Sequence, residues 1–413
     1  MPRYIVVPGK METARSVPKD IPGSIHLPLV DGFVARLTDD ERTDLANRGF
    51  TVVEEDTYSI PTPVEEPSIA AGGGDYYYPT VELDPSIPGN MNMMVTAGVE
   101  SLIAKGITGK GVTIGIADTG IDPSHPDLSN DIAAFKDFIH SDQSPKDPSG
   151  HGTGVASFAA GTGIVVDKFH GVAPDANVMM ARVMDGSGNG READIILGLG
   201  WLDESGAEII NLSLGSMIRR WSPLSEAVQK LADKGRIVTT AAGNDGPRTI
   251  TSPANAYGCI CVAACDEHGR YADFSSVGPA MGRDREDVPK PDITAWGHHV
   301  AIARSIGTSL GKDIHERYVA VSGTSFSAPF VAGAAALYKQ AVGNITTFKT
   351  DLIITADDDP NTDHGHEGAG RIQIERAIEK ALGGPVPTTI PPGAGGCLLG
   401  PIGMLLRMIC IPK

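Results

Sequence analysis

Apolar runs of strand length alternate with helix-like segments through the middle of the chain. The apolar runs cover residues 112–117, 177–184, 208–214 and 236–242. The helix-like segments cover residues 153–160, 191–203 and 223–234. Apolar strands that are separated by helices are typical of a parallel sheet that is covered by helices on both faces. The pattern therefore predicts an α/β fold.

A smaller unit with a different pattern precedes this region, over residues 1–60. Strand patterns and one helical pattern alternate there, with strands at 4–7, 32–37 and 50–54 and the helix at 39–48. Asp39 and Asp40 favour a helix start, and Gly49 favours a helix end. The pattern predicts a small α+β domain.

Two changes of composition divide the chain. Residues 61–86 are rich in proline and glycine and cannot supply a core, which indicates a linker. The α/β pattern occupies residues 87–382. Residues 383–413 begin with a second proline- and glycine-rich stretch and end in an apolar tail.

Net charge and cysteine content restrict the class of protein. The sequence has 34 Lys and Arg residues against 51 Asp and Glu residues, a net charge of −17. This charge repels nucleic acids and anionic lipid surfaces, so a nucleic-acid partner is not expected. Five cysteines, three of them within residues 259–265, do not indicate a disulfide framework.

The start of the chain and its longest apolar stretch bear on location. Only four apolar residues stand before Pro8, too few for the apolar core of a secretory signal. The most apolar stretch, residues 397–411, is interrupted by Pro401 and Arg407, so no transmembrane segment is expected. We expect a cytoplasmic protein, or one that is secreted only after loss of a leader or by a non-standard route.

A polar, glycine-rich turn follows each apolar run. The turns cover residues 118–120, 185–188, 215–216 and 243–245. Parallel sheets hold their ligands at the carboxyl ends of the strands. We therefore expect a functional site at this edge of the sheet.

Ser325 stands just before the most apolar helical segment of the chain, residues 330–337. Because that segment is apolar on every side, it predicts a buried helix. A helix N-terminus stabilises negative charge, which suits a nucleophilic hydroxyl. Serine also caps helices without any chemistry, so Ser325 alone is compatible with both interpretations.

Three other residues carry the groups that a serine nucleophile needs. His151 lies between two glycines and suits a general base, and Asp118 ends an apolar strand where it can orient a histidine. Asn244 follows another strand, where its amide can donate to an oxyanion. Each residue also fits an ordinary turn. Their joint occurrence is what indicates a catalytic site.

With these four residues the chain resembles the subtilisin-family serine proteases, or subtilases, over about residues 88–382. The order Asp118, His151, Ser325 is that of subtilisin, whereas chymotrypsin-like enzymes begin with His and α/β-hydrolases with Ser. The resemblance implies that Asp118 orients His151, that His151 is the general base and acid, and that Ser325 is the nucleophile. It assigns oxyanion stabilisation to Asn244 and the Ser325 N–H, in a serine endopeptidase that forms an acyl-enzyme.

The resemblance also implies where a polypeptide substrate binds. Gly186-Ser187-Gly188 and Ser213-Leu214-Gly215 match the two segments between which an extended peptide adds as a strand. Thr251 matches the floor of the pocket for the residue before the scissile bond. The chemistry requires no cofactor. Asp127 matches a calcium ligand, which leaves a structural calcium ion as an open expectation.

Residues 1–60 resemble the propeptide of the same family. This implies a zymogen whose N-terminal domain acts as an intramolecular inhibitor and is removed by self-cleavage in the linker. A permanent binding domain with the same α+β pattern is the other interpretation.

Two alternative functions remain at this point. A catalytically silent subtilase fold would bind peptides or partner proteins as a scaffold, although all four catalytic positions are occupied. A lipase or esterase is disfavoured because Gly323-Thr324-Ser325-Phe326-Ser327 lacks the second glycine of the nucleophile elbow.

Overall fold

The computed structural model describes residues 2–9, 21–60, 90–128, 131–140, 142–216, 219–358 and 364–384. The predicted linker, 61–86, lies outside the described residues. So does all of the predicted tail, 383–413, except its first two residues.

The N-terminal unit is a four-stranded antiparallel sheet with one helix. Its elements are β1 Arg3–Pro8, β2 Ile25–Leu27, β3 Gly32–Arg36, α1 Asp39–Asn47 and β4 Phe50–Glu54, and the strand order is β2-β3-β1-β4. The predicted strands and helix are therefore present. Thr38 caps α1, because its Oγ1 accepts from the Glu41 N–H while the Glu41 carboxylate accepts from the Thr38 N–H.

A seven-stranded parallel sheet forms the centre of the larger unit. Its strands are β6 Thr113–Asp118, β7 Ile132–Asp137, β8 Asn177–Arg182, β10 Ile209–Leu212, β12 Ile237–Ala241, β13 Ile260–Cys265 and β16 Ile293–Trp296. The strand order is β16-β13-β12-β10-β6-β8-β7, and each neighbouring pair is parallel. The predicted α/β fold with a parallel sheet is confirmed.

Helices cover both faces of this sheet. The helices of the larger unit, in the described residues, are α2 Met91–Ala97, α3 Val99–Ala104, α4 His151–Ala160, α5 Glu192–Glu204, α6 Pro223–Asp233, α7 Thr324–Val342, α8 Phe348–Ile354, α9 His364–Glu367 and α10 Ile374–Ala381. Helices α4 and α7 belong to one hydrophobic core, whereas α5 and α6 belong to the core on the other face. In the described part of the chain, no helix is both long enough and apolar enough to cross a membrane.

Short strands complete the fold. They are β5 Thr57–Ser59, β9 Asn189–Arg191, β11 Gly215–Ser216, β14 Ala280–Met281, β15 Asp287–Val288, β17 Val300–Ala303, β18 Lys312–His315 and β19 Tyr318–Val321. Strand β5 follows the N-terminal sheet in the chain but pairs with β9 and β11 of the larger unit. This pairing joins the two units at the edge of the candidate site.

The N-terminal sheet packs on the larger unit through one of its faces. Side chains alternate along a strand, so Tyr4 and Val6 of β1 pack with Leu45 of α1, while Ile5 points the other way. Ile5 joins the core that contains Leu224 of α6 and neighbouring residues of α5. The N-terminal unit thus buries its second apolar face against α5 and α6.

Candidate active site

The carboxyl end of β6 and the start of α4 bring Asp118 and His151 together. Asp118 is the last residue of β6, and His151 is the first residue of α4. Gly152 allows this approach, because a Cβ atom there would collide with the Gly120 carbonyl oxygen. The preceding Gly150 has a φ of 88°, a left-handed conformation that favours glycine. Close packing at Gly152 and the left-handed backbone at Gly150 therefore explain the glycines on both sides of His151.

Asp118 and His151 form a buried hydrogen-bonded pair. His151 Nδ1 lies 2.8 Å from Asp118 Oδ1, and the two side chains are 1% and 0% exposed. The same oxygen accepts from the Thr119 N–H at 2.7 Å. A carboxylate at Nδ1 fixes the tautomer in which Nε2 can accept a proton. Nε2 is buried and has no hydrogen-bond partner within the described ranges.

Asp147 holds the turn that carries His151, and the sequence analysis did not find it. Its Oδ1 accepts from Thr119 Oγ1 at 2.9 Å and from the Gly150 N–H at 2.9 Å. Its Oδ2 accepts from the N–H and the hydroxyl of Thr153 at 2.8 and 2.7 Å. One buried carboxylate thus links the residue after Asp118 to both sides of His151. The sequence offered one signal for this role, since Asp147 lies only four residues before His151.

Ser325 lies in the first turn of the buried helix α7, as the sequence predicted. Pro329 lies inside this helix and has no N–H, so it cannot donate to the Ser325 carbonyl four residues earlier. The Ser213 hydroxyl takes that place and donates to Ser325 O at 2.6 Å. The Ser325 hydroxyl in turn donates to Ser213 O at 3.3 Å. The residue after Ser325, Phe326, packs against the His151 ring with centroids 5.6 Å apart.

Asn244 is held beside the start of α7. Its Oδ1 accepts from the N–H and the hydroxyl of Thr324, both at 3.0 Å. The Gly243 N–H donates to the same hydroxyl at 3.0 Å. Since these donors fix the oxygen end of the amide, the Nδ2 end faces Gly323, where an added Cβ atom would lie 3.1 Å from it. The amide N–H groups therefore lie next to the backbone that carries Ser325.

Two of the predicted substrate-binding residues, Gly188 and Gly215, contact the N-terminal segment. Strand β5 pairs antiparallel with β9 on one side and with β11 on the other. Ser59 lies opposite Gly215 in β11, and Gly188 O accepts from the Ile60 N–H at 3.0 Å. Ser213 lies two residues before Gly215 and contacts Ser325. The segment therefore runs between the two predicted flanking segments, toward Ser325.

The other predicted substrate-binding residues lie beside β11 or in the turn before β9. Leu214 is fully buried between Ser213 and β11. The Thr251 hydroxyl donates to Ser216 O at 2.7 Å, which places it beside β11. Gly186 and Ser187 lie in the turn before β9, where the Ser187 N–H donates to Asp185 Oδ1 at 2.9 Å. Pairing with β5 falls on Asn189–Arg191 instead.

A buried polar pocket holds Tyr58 of β5. Its hydroxyl lies 3.0 Å from Glu192 Oε1, 2.9 Å from Ser222 Oγ and 3.0 Å from Ser252 Oγ. Burial raises the pKa of the Glu192 carboxyl. Burial and the charge of Glu192 raise the pKa of the Tyr58 hydroxyl well above its usual value, so it stays protonated. Neither Tyr58 nor Glu192 was singled out from the sequence.

Asp127, the predicted calcium ligand, is occupied by hydrogen-bond donors of the protein. Its Oδ1 accepts from the Val165 N–H at 3.3 Å, and its Oδ2 accepts from the Tyr318 hydroxyl. Burial and this carboxylate together raise the pKa of Tyr318, which therefore remains a donor. In the part of the chain that the structure describes, no three His, Cys, Asp or Glu side chains are placed to hold a metal ion. Donors of the protein thus engage both carboxylate oxygens of Asp127 and compete with the binding of a calcium ion there.

Comparisons with known proteins give a consistent result. The sequence profile described as "Subtilase family" matches residues 109–370. The chain is 34% identical to serine protease AprX of Bacillus subtilis over 306 residues, which are 66% of this chain and 67% of that protein. It is 32% identical to thermitase of Thermoactinomyces vulgaris over 66% of this chain and 90% of that protein. It is 35% identical to subtilisin Savinase of Lederbergia lenta over 57% of this chain and 79% of that protein.

Proposed function

This chain belongs to the subtilase family and is a subtilisin-like serine endopeptidase, and on that premise we propose that Asp118, His151 and Ser325 are its catalytic triad. The contact that supports this assignment most directly is the buried hydrogen bond from His151 Nδ1 to Asp118 Oδ1, which leaves Nε2 available for a proton. Together with Asn244 and the Ser325 N–H, these side chains supply every group that the steps below require.

The first step is nucleophilic attack by Ser325. The hydroxyl turns from Ser213 O toward His151 Nε2 and gives up its proton there as Oγ attacks the carbonyl carbon of the substrate. Asp118 keeps the imidazole oriented and stabilises the positive charge that it gains. His151 then returns the proton to the leaving amine, and the peptide C–N bond breaks to give an acyl-enzyme.

Asn244 and the Ser325 backbone N–H stabilise the negative charge that develops on the carbonyl oxygen. Thr324 holds Asn244 Oδ1, so the Nδ2 hydrogens are already oriented before the reaction. A fixed donor costs no reorganisation at the moment of bond cleavage. Water, deprotonated by His151, then attacks the acyl-enzyme and releases Ser325.

The N-terminal unit acts as a propeptide that inhibits the enzyme. Strand β5 runs between β9 and β11, where a substrate would add as a strand through main-chain hydrogen bonds. Two ion pairs add to this contact, Arg220 with Asp56 and Lys230 with Asp31, at 2.6 and 2.7 Å. The chain directs its own segment toward Ser325 and is cleaved close after Ile60, within the linker.

A serine-directed fluorophosphonate and casein together test the assignment. Wild-type protein should hydrolyse casein and gain the mass of one bound reagent on Ser325, because only an activated serine reacts readily. The Ser325→Ala variant should do neither, while a control that removes an exposed hydroxyl of the larger unit, Ser205→Ala, should do both. Casein hydrolysis that survives Ser325→Ala would contradict the proposal.

A further inference from the structure

We propose that Glu192, Ser222 and Ser252 make the pocket that now holds Tyr58 selective for tyrosine, so that preferred polypeptide substrates carry a tyrosine at that position. This inference rests on the proposed function and adds a substrate preference to it. The tyrosine would lie three residues N-terminal to the substrate residue that faces Ser213.

The position of the tyrosine follows from strand register. Tyr58 lies opposite Gly190 of β9 and Ser216 of β11, and Ser59 lies opposite Gly215. In an antiparallel pair, each step forward along one strand is a step back along the other, so a substrate residue two positions after the one that replaces Ser59 would face Ser213. A substrate that adds as the same strand would place its own side chain in the Tyr58 pocket once the propeptide has left.

The larger unit builds the polar end of the pocket without help from Tyr58. Ser222 caps α6 and accepts from the Leu224 N–H at 3.1 Å, and Glu192 Oε1 accepts from the same N–H at 3.0 Å. Ser225 donates to Ser252 at 2.8 Å. With Tyr58 in place, all of these side chains are at most 2% exposed. The acceptors are therefore already in place when a new side chain enters.

The chemistry of the pocket fits a phenol better than a plain aromatic ring. Tyr58 is fully buried in the same hydrophobic cluster as Leu214 and Ile250, which suits an aromatic ring, while its hydroxyl reaches three oxygen atoms. Glu192 Oε2 is buried and has no partner among the described residues. A phenylalanine would remove the hydroxyl that Glu192 Oε1, Ser222 Oγ and Ser252 Oγ now contact, and sites built for a hydroxyl discriminate strongly against analogues that lack it.

Inhibition of casein hydrolysis by peptides tests the preference. The enzyme is prepared from the full-length chain and allowed to complete its processing. Inhibition by a peptide with the sequence of residues 55–66 is then compared with inhibition by copies that carry Phe or Lys in place of Tyr58. The tyrosine peptide should have an inhibition constant about 10- to 100-fold below that of the phenylalanine peptide. Equal constants, or tightest binding of the lysine peptide, would overturn the proposal.

Variants of the pocket show whether Glu192 is responsible. Glu192→Met should reduce the preference for tyrosine to about threefold or less, whereas Glu192→Gln, which keeps an acceptor oxygen, should retain most of it. Glu204→Gln changes an exposed residue of the same helix and should leave the preference intact. Ser252→Ala is a milder variant if Glu192→Met does not fold. A preference that persists in both Glu192→Met and Ser252→Ala would contradict a role for these groups.

A stability measurement separates this inference from the proposed function. If wild-type protein does not hydrolyse casein, the proposed function fails and the peptide assay has no signal. Thermal unfolding of full-length Ser325→Ala is then compared with and without Tyr58→Phe. A lower Tm with Tyr58→Phe supports recognition of the hydroxyl, and an unchanged Tm overturns it.

Discussion

Replacing His151 with alanine is expected to lower kcat for peptide-bond hydrolysis by about 10⁶-fold, a magnitude taken over from the subtilisin triad rather than derived for this chain. His151 is the only general base that the proposed mechanism uses, and its Nε2 is the atom that takes the proton of Ser325. Steady-state hydrolysis of one quenched peptide by both proteins, purified in the same way, gives the ratio.

His268→Ala provides the matched control for this variant. The His268 side chain is 66% exposed and lies in a turn outside the site, so its loss should leave kcat unchanged. His151→Ala must also unfold at a temperature close to that of wild type, which shows that the loss is chemical. A fall of less than about 100-fold in a well-folded variant would show that another group serves as the base.

Replacing Asp118 with asparagine is the second large effect, with kcat expected to fall by about 10⁴-fold. Asp118 Oδ1 accepts from His151 Nδ1 and from the Thr119 N–H. The amide of an asparagine can turn a donor toward Nδ1, which favours the tautomer with a proton on Nε2. Such a histidine cannot accept the proton of Ser325, although the shape of the site is kept.

The asparagine variant is checked against Asp167→Asn, which makes the same chemical change at an exposed position in a short helical turn. That control should retain full activity. The activity of Asp118→Asn should also recover in part as the pH rises, because hydroxide can take over the role of a base. Activity within tenfold of wild type would mean that Asp118 does not orient the catalytic histidine.

Local patterns were sufficient to predict the fold and the carboxyl ends of its strands. The apolar run that ends at Asp118 forms β6, and the run that ends before Asn244 forms β12. Burial on both faces makes such strands apolar along their whole length, so their ends are visible where polar residues begin. Asp118 and Asn244 could be proposed because parallel strands present their carboxyl ends on one edge, whereas His151 and Ser325 were proposed from flanking glycines and from the start of a buried helix.

Contacts between distant residues could not be predicted in this way. Tyr58 and Glu192 are 134 positions apart, and no local pattern reports that they meet in one pocket. The pairing of β5 with β9 rather than with residues 186–187 depends on strand register, which only the folded turn after Asp185 fixes. Asp147 looks like an ordinary loop carboxylate until its five donors are seen.

Self-processing through Ser325 is measured by the intact mass over time of full-length wild-type protein beside its Ser325→Ala variant, with and without added calcium. We expect the wild type to split within the linker, close after Ile60, and Ser325→Ala to stay whole under both conditions. If both proteins stay whole, or if both split at the same position and rate, the chain does not process itself through Ser325 and the account is wrong.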